Sequence, residues 1–168
     1  MNEKIFFEWS YDTIVITIIT AIIIIGSLLY LYKEFIDTDS RLKKIGAVAI
    51  AIFLTSAEIY FTGMTPLYVE YNQTEICIKH IIGRDVIPYS EIISIKSIEP
   101  QTISNSTRQI ASGGAGGYVG LFHNQTLGRY YMYATAQRDL VLIVTQEKKY
   151  VFNHKERNAL VGYVEQKI

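Results

Sequence analysis

Two long apolar runs come first along the chain, and a texture of short alternating segments follows. From Thr13 to Tyr32 the sequence TIVITIITAIIIIGSLLYLY carries no charge over 20 residues. As an α-helix it extends about 30 Å, the thickness of a bilayer's hydrocarbon core. Trp9 and Tyr11 precede it and Tyr30 and Tyr32 close it, the positions of an aromatic belt. No soluble strand runs to this length, so the pattern predicts a transmembrane helix over about 13–32. A cleavable signal peptide fits poorly, because the apolar region is too long and Leu28–Tyr32 offers no small-x-small site.

The second run, Ile45–Met64, reads IGAVAIAIFLTSAEIYFTGM and predicts a helix over about 45–64. Its only charge is Glu58, near the C-terminal end, where a carboxylate can snorkel toward the interface. Ala47 and Ala51 form a small-xxx-small pair through which helices can approach. The 12-residue connection KEFIDTDSRLKK is long enough only for a turn. Residues 1–66 are therefore expected to be a membrane hairpin with both ends on one side. Glu58, Ala47 and Ala51 are its candidate packing residues.

After Pro66 the period changes. Leu67–Tyr71, Glu75–Ile82, Val86–Tyr89, Ile92–Ile98, Tyr118–Phe122, Arg129–Thr135, Leu140–Thr145 and Lys149–Phe152 are short, β-branched and aromatic, with polar turns between them. About seven or eight such strands predict a small antiparallel barrel or sandwich over 67–168. The end differs. Asn153 stands three residues before Glu156, a capping-box spacing, and Leu160, Val161, Val164 and Ile168 form one helical stripe. A C-terminal helix over about 154–167 is expected to plug the barrel. Five long strands without that helix would instead indicate an OB barrel.

Charge narrows the partners. Lys+Arg and Asp+Glu are both 16, so no bulk field draws the chain to nucleic acid. A single cysteine, Cys77, rules out an intramolecular disulfide. The connection between the apolar runs carries Lys33, Arg41, Lys43 and Lys44, whereas Lys4 is the only basic residue before Thr13 and none lies between Phe61 and Ile78. The positive-inside rule then puts the connection in the cytoplasm and residues 67–168 on the extracytoplasmic side of a bacterial inner membrane, with the cytoplasmic side as the alternative.

The densest punctuation is GGAGGYVG, which holds Gly113, Gly114, Gly116, Gly117 and Gly120. A dinucleotide fingerprint needs G-x-G-x-x-G opening a helix, but Gly114-Ala115-Gly116 is followed by Val119 and a strand-like run. A Walker A loop needs Gly-Lys-Ser/Thr, a tripeptide absent from the chain. The glycines are therefore expected to form a bend at a strand, or a flexible binding lip in a long polar loop over 101–117. Cys77 and His80, three apart in a strand, point to opposite faces and cannot share a metal. No activated nucleophile or paired carboxylate is visible, so no catalytic, metal or cofactor site is expected. In the strand around Tyr130–Tyr133, Tyr131 and Tyr133 are expected in the core. Tyr130 and Met132, with Tyr118, are left as candidate partner contacts.

Residues 114–167 resemble the bacterial pleckstrin-homology-like (PH-like) domains found behind membrane helices. The matching succession is Tyr118-Val119-Gly120-Leu121-Phe122, Gly128–Thr135, Leu142-Ile143-Val144-Thr145 and Lys149-Tyr150-Val151-Phe152-Asn153 leading into the helix. The resemblance implies a mainly-β PH-like domain in a membrane setting and no settled activity. Phosphoinositide recognition in eukaryotic PH domains uses several cations around the first strand-turn-strand. Here that turn is Asn72-Gln73-Thr74, with only Lys79 and Arg84 near it. The expected role is a non-enzymatic, membrane-anchored module binding a protein partner or a second copy. The alternatives are an accessory subunit acting through its hairpin and a ligand-binding domain using the 101–120 loop.

Overall fold

The computed structural model describes residues 3–168. A short strand β1 (Glu3–Phe6) precedes two long helices, α1 (Tyr11–Asp37) and α2 (Arg41–Gly63). Helix α1 runs past its apolar stretch to Asp37 and α2 starts four residues before its own, so the expected 12-residue connection shrinks to Thr38-Asp39-Ser40. The Lys, Glu and Arg residues of that connection are good helix formers and extend the helices rather than interrupt them. Ser10 caps α1 by accepting from the Thr13 N–H at 3.3 Å. In the most apolar 18-residue window of α1 no residue is buried, and in that of α2 6% are. Their apolar flanks are thus not covered by the rest of the chain.

Strands β2 (Pro66–Tyr71), β3 (Glu75–His80) and β4 (Arg84–Pro88) follow as a meander. The Asn72 Oδ1 accepts from the N–H groups of Thr74 (2.8 Å) and Glu75 (3.1 Å), the local bond that turns β2 into β3. A 3-10 turn at Tyr89–Glu91 carries the chain into a second sheet. That sheet holds β5 (Ile92–Ile98), β6 (Thr107–Gly114), β7 (Gly117–Asn124), β8 (Gly128–Ala134), β9 (Leu140–Thr145) and β10 (Lys149–Asn153). The strand orders are β1-β2-β3-β4 and β5-β9-β10-β8-β7-β6.

One core lies between the sheets. Ile76, Ile78, Tyr133, Val141, Ile143 and Phe152 meet there, closed at one end by Leu160 and Val164 of α3 (Arg157–Glu165). A second lies on the opposite face of the larger sheet, where Phe122, Tyr130, Met132, Leu140 and Leu142 pack under Ile103 and Leu127. Strand β9 therefore buries both faces, which is why Leu140–Val144 reads as a continuous apolar run rather than an alternation.

Two apolar helices followed by a two-sheet, mainly-β domain with a closing helix match the expected class, and every expected strand segment is a strand. Four details differ. Strand β6 occupies what was expected to be polar loop, and β1 pairs with β2 in front of the helices (Glu3↔Tyr71 to Phe6↔Tyr68), so ten strands are described. The barrel is not wholly antiparallel, because β8 and β10 run parallel (Tyr150↔Tyr131). The capping box is absent: Asn153 ends β10 and its Oδ1 accepts from the Thr135 N–H at 2.8 Å. The helix consequently starts at Arg157, not near 154. Ile168 lies past its end, 48% exposed rather than on the buried stripe. The strand count and the closing helix rule out the five-stranded OB alternative.

Candidate functional site at the junction of helices and sheets

The glycine run is the tip of the β6–β7 hairpin. Gly114 pairs with Gly117 across the two-residue turn Ala115-Gly116. This corrects the expected loop over 101–117: residues 100–103 form a 3-10 turn and 107–114 a strand. Gly116 takes φ +70°, and a Cβ there would stand 2.6 Å from the Thr65 Oγ1. Gly120 takes φ +113° beside a register shift at Arg108/Ile110, where a Cβ would meet the Ile110 carbonyl at 2.3 Å. Gly113 is half-buried in β6, where a Cβ would meet the guanidinium of Arg108.

The tip is not a free lip. The Gly116 N–H donates to the Thr17 Oγ1 at 2.9 Å, and that hydroxyl donates to the Thr13 carbonyl at 2.7 Å. Ile16 of α1 packs where a Gly114 side chain would be. The sheet is thus pinned to the second turn of α1.

The other connections at this level are equally short. The Ser10 N–H donates to the Thr135 carbonyl (3.1 Å) and the Thr135 hydroxyl to the Glu8 carbonyl (2.8 Å). Past α2, the Ile81 and Ile82 N–H groups donate to the Thr65 and Gly63 carbonyls at 3.2 and 3.0 Å. Both ends of the hairpin therefore enter the sheets without a free linker.

Between these contacts lies a cavity of about 390 Å³. Its polar lining is Glu58, Thr17, Thr20, Thr62, Thr65 and Ser112, and Trp9, Phe61, Leu67 and Ile81 supply the apolar walls. Glu58 accepts from the Thr62 hydroxyl at 3.2 Å and makes no salt bridge among the described residues. So the structure brings together two features that the sequence presented separately, the carboxylate of α2 and the glycine turn. Glu58 faces this cavity rather than standing alone at a helix end. The hydroxyls around it were not expected, although Thr17 and Thr20 of α1 stand three apart and Glu58 and Thr62 of α2 four apart. Those spacings align polar groups on one face of each helix, with Thr65 just past the end of α2.

The remaining candidates lie elsewhere. Tyr118, Tyr130 and Met132 do converge, on a 270 Å³ notch beside Ser106 and Arg108. Tyr130 and Met132 are only 1% exposed and form its floor, so their expected place on a partner-facing surface is corrected. Both faces of β8 are covered, one by each core. The Tyr130 hydroxyl donates to the Ser106 Oγ at 2.7 Å, and burial raises the Tyr130 pKa. Ala47 and Ala51 line an apolar groove of about 250 Å³ with Leu28, Leu31 and Phe35, at the far end of the hairpin.

A second polar group is built into the inter-sheet core. Burial raises the pKa of Tyr133, and its hydrogen bond to the Asp85 carboxylate adds to the shift. Asp85 also stands 3.4 Å from the His80 Nε2, and the His80 ring stacks on Tyr133 with centroids 5.7 Å apart. Asp85 is thus the shared partner of Tyr133 and His80 where β3, β4 and β8 meet, while the buried His80 Nδ1 has no hydrogen-bond partner among the described residues.

A family model described as a bacterial PH domain matches residues 67–168. No curated protein and no solved structure matches the chain.

Proposed function

The chain belongs to the bacterial PH domain family, and from that premise we propose that it is a membrane-anchored, non-enzymatic binding protein. The hairpin spans the cytoplasmic membrane twice and holds the β-domain at the bilayer surface, where it associates with a protein partner or a second copy. The junction carries this reading. A domain hydrogen-bonded to both ends of an apolar hairpin is a fixed platform rather than a tethered one, and one direction of approach is always presented to neighbours in the membrane. Fixing a module in the plane of its partners raises effective concentration, so weak contacts suffice.

Strand β6 offers the contact. It is an edge of the larger sheet, and Thr107, Arg108, Gln109 and Ile110 are all exposed, Ile110 at 61%. An extended segment can add to such an edge through main-chain bonds. A photo-crosslinking residue at Gln109 in the full chain, expressed in its membrane, is expected to trap one discrete adduct. The same residue at exposed Ile93 on β5 is not. Equal labelling at both positions would refute binding at the β6 edge.

The basic residues at the hairpin turn support the extracytoplasmic side for the β-domain. A C-terminal phosphatase fusion is expected to be active and a C-terminal cytoplasmic fluorescent reporter dark, with the reverse result placing the domain in the cytoplasm. The apolar groove at Ala47 and Ala51 favours a second reading, an accessory subunit packing through its hairpin. Exchange of residues 21–56 for an unrelated hairpin abolishes function under that reading and spares it under the first.

A further inference from the structure

We propose that the junction cavity is a binding site for a primary ammonium group, carried by the headgroup of an aminophospholipid or by a soluble alkylamine. The sign of the charge comes first. Among the described residues Glu58 is the one ionisable group in the lining, and no lysine, arginine or histidine joins it there. A carboxylate held in the membrane-facing part of a protein is costly unless a cation or donor meets it. The Thr62 hydroxyl meets only one oxygen.

The hydrogen-bond inventory gives the rest. The hydroxyl protons of Thr17, Thr62 and Ser112 are given to the Thr13 carbonyl, Glu58 and the Ala115 carbonyl. What those oxygens have left to offer is lone pairs. The Thr20 and Thr65 hydroxyls and the Trp9 indole N–H on the mostly apolar wall can still donate, so the selection falls to the Glu58 carboxylate and the three committed hydroxyls. An ammonium group, with three N–H donors and no acceptor, complements their free lone pairs. A phosphate or carboxylate has the opposite needs. A trimethylammonium group has no N–H and cannot use these oxygens. Trp9 and Phe61 on the walls suit the same guest, because aromatic faces attract cations.

Depth and size agree. Glu58 lies five residues before the end of α2, about 8 Å along the axis, at the level where headgroups meet hydrocarbon if the hairpin spans a bilayer. The volume is at the small end of ligand pockets and admits a headgroup, not a folded segment.

The inference rests on the anchored reading only for the lipid as source, and the test is run in detergent, so the two can fail separately. The full chain in micelles receives equal amounts of phosphatidylethanolamine and phosphatidylcholine with identical tails, and native mass spectrometry counts retained lipid. Ethanolamine is titrated separately against the fluorescence of Trp9, the only tryptophan in the chain and a residue of the cavity wall.

Retention of the ethanolamine lipid over the choline lipid by about tenfold, lost in Glu58→Gln at unchanged melting temperature, is the expected result. A saturable Trp9 response to ethanolamine that Glu58→Gln abolishes, without lipid preference, supports the same site with a soluble amine as its source. Equal lipid retention with no saturable amine response overturns the proposal, and so does a preference or response that survives in Glu58→Gln. Should that variant fold poorly, Thr20→Leu fills the cavity while leaving the carboxylate, and is held to the same outcomes.

Discussion

Tyr133 shows how a hydroxyl is carried into an apolar interior: the Asp85 carboxylate accepts from it and the His80 ring covers its face. Its neighbours follow the same logic with weaker partners. Burial, and then the nearby Tyr163 and Glu75, push the Tyr89 pKa up to about 12. Burial, and then Asp85 and Tyr131, push Tyr150 up to about 12 as well. A phenol whose folded pKa lies above its unfolded value near 10 keeps its proton longer in the folded state. The stability it contributes is complete below pH 10 and is lost as pH rises toward 12, because the unfolded chain releases protons first. Unfolding by urea, followed at pH 8, 10 and 11.5, is therefore expected to show falling midpoints above pH 10. Tyr89→Phe, which removes one such group, is expected to flatten the fall. A midpoint unchanged up to pH 11.5 would refute this account of the tyrosines.

At the scale of elements, the β6–β7 hairpin is the piece whose glycines do different jobs. Gly116 and Gly128 share φ +70°, but a Cβ at Gly116 meets Thr65 whereas one at Gly128 meets nothing within 4 Å. Gly128→Ala is expected to cost about 1 kcal/mol, the price of the left-handed conformation alone. Gly116→Ala is expected to cost clearly more and to loosen the tip from Thr17, read as a larger fall in melting temperature and faster proteolysis within 113–117. Equal losses would mean that the turn touches nothing that matters.

The same hairpin marks the limit of sequence reading. Leu140–Thr145 and Ile92–Ile98 were legible as strands because buried β-branched residues leave a pattern. Thr107–Ile110 was not, because an exposed edge strand of polar residues has the composition of a loop. Tyr130 and Met132 were misplaced for the converse reason. Alternation assigns one face to the core, yet it carries no information on whether a second core covers the other. Asn153 was spent on the Thr135 N–H across the sheet, a long-range bond that outcompeted the local cap.

For the whole molecule, the consequential feature is that Glu3–Phe6 belongs to the β-domain although 27 and 23 helical residues separate it from β2. Without β1, strand β2 becomes an unpaired edge and buried Phe7 leaves the inter-sheet core. The hydrophobic pattern could not reveal this, since a four-residue strand before a long apolar helix reads as its flank. Two soluble proteins separate the contributions. One spans residues 64–168 alone; the other adds residues 3–10 through a flexible loop in place of the helices. Burial of Phe7 stabilises by about 1.5–3 kcal/mol, and the Glu3–Phe6 ladder adds to it. The second protein is therefore expected to melt at least about 10 °C higher, since roughly 1 kcal/mol shifts a domain of this size by 4–8 °C. The shorter protein is also expected to self-associate through the bared β2 edge, visible as a concentration-dependent elution volume. Identical melting temperatures would show that the domain is complete without its N-terminal strand. The hairpin would then be an attachment to the fold rather than an insertion within it.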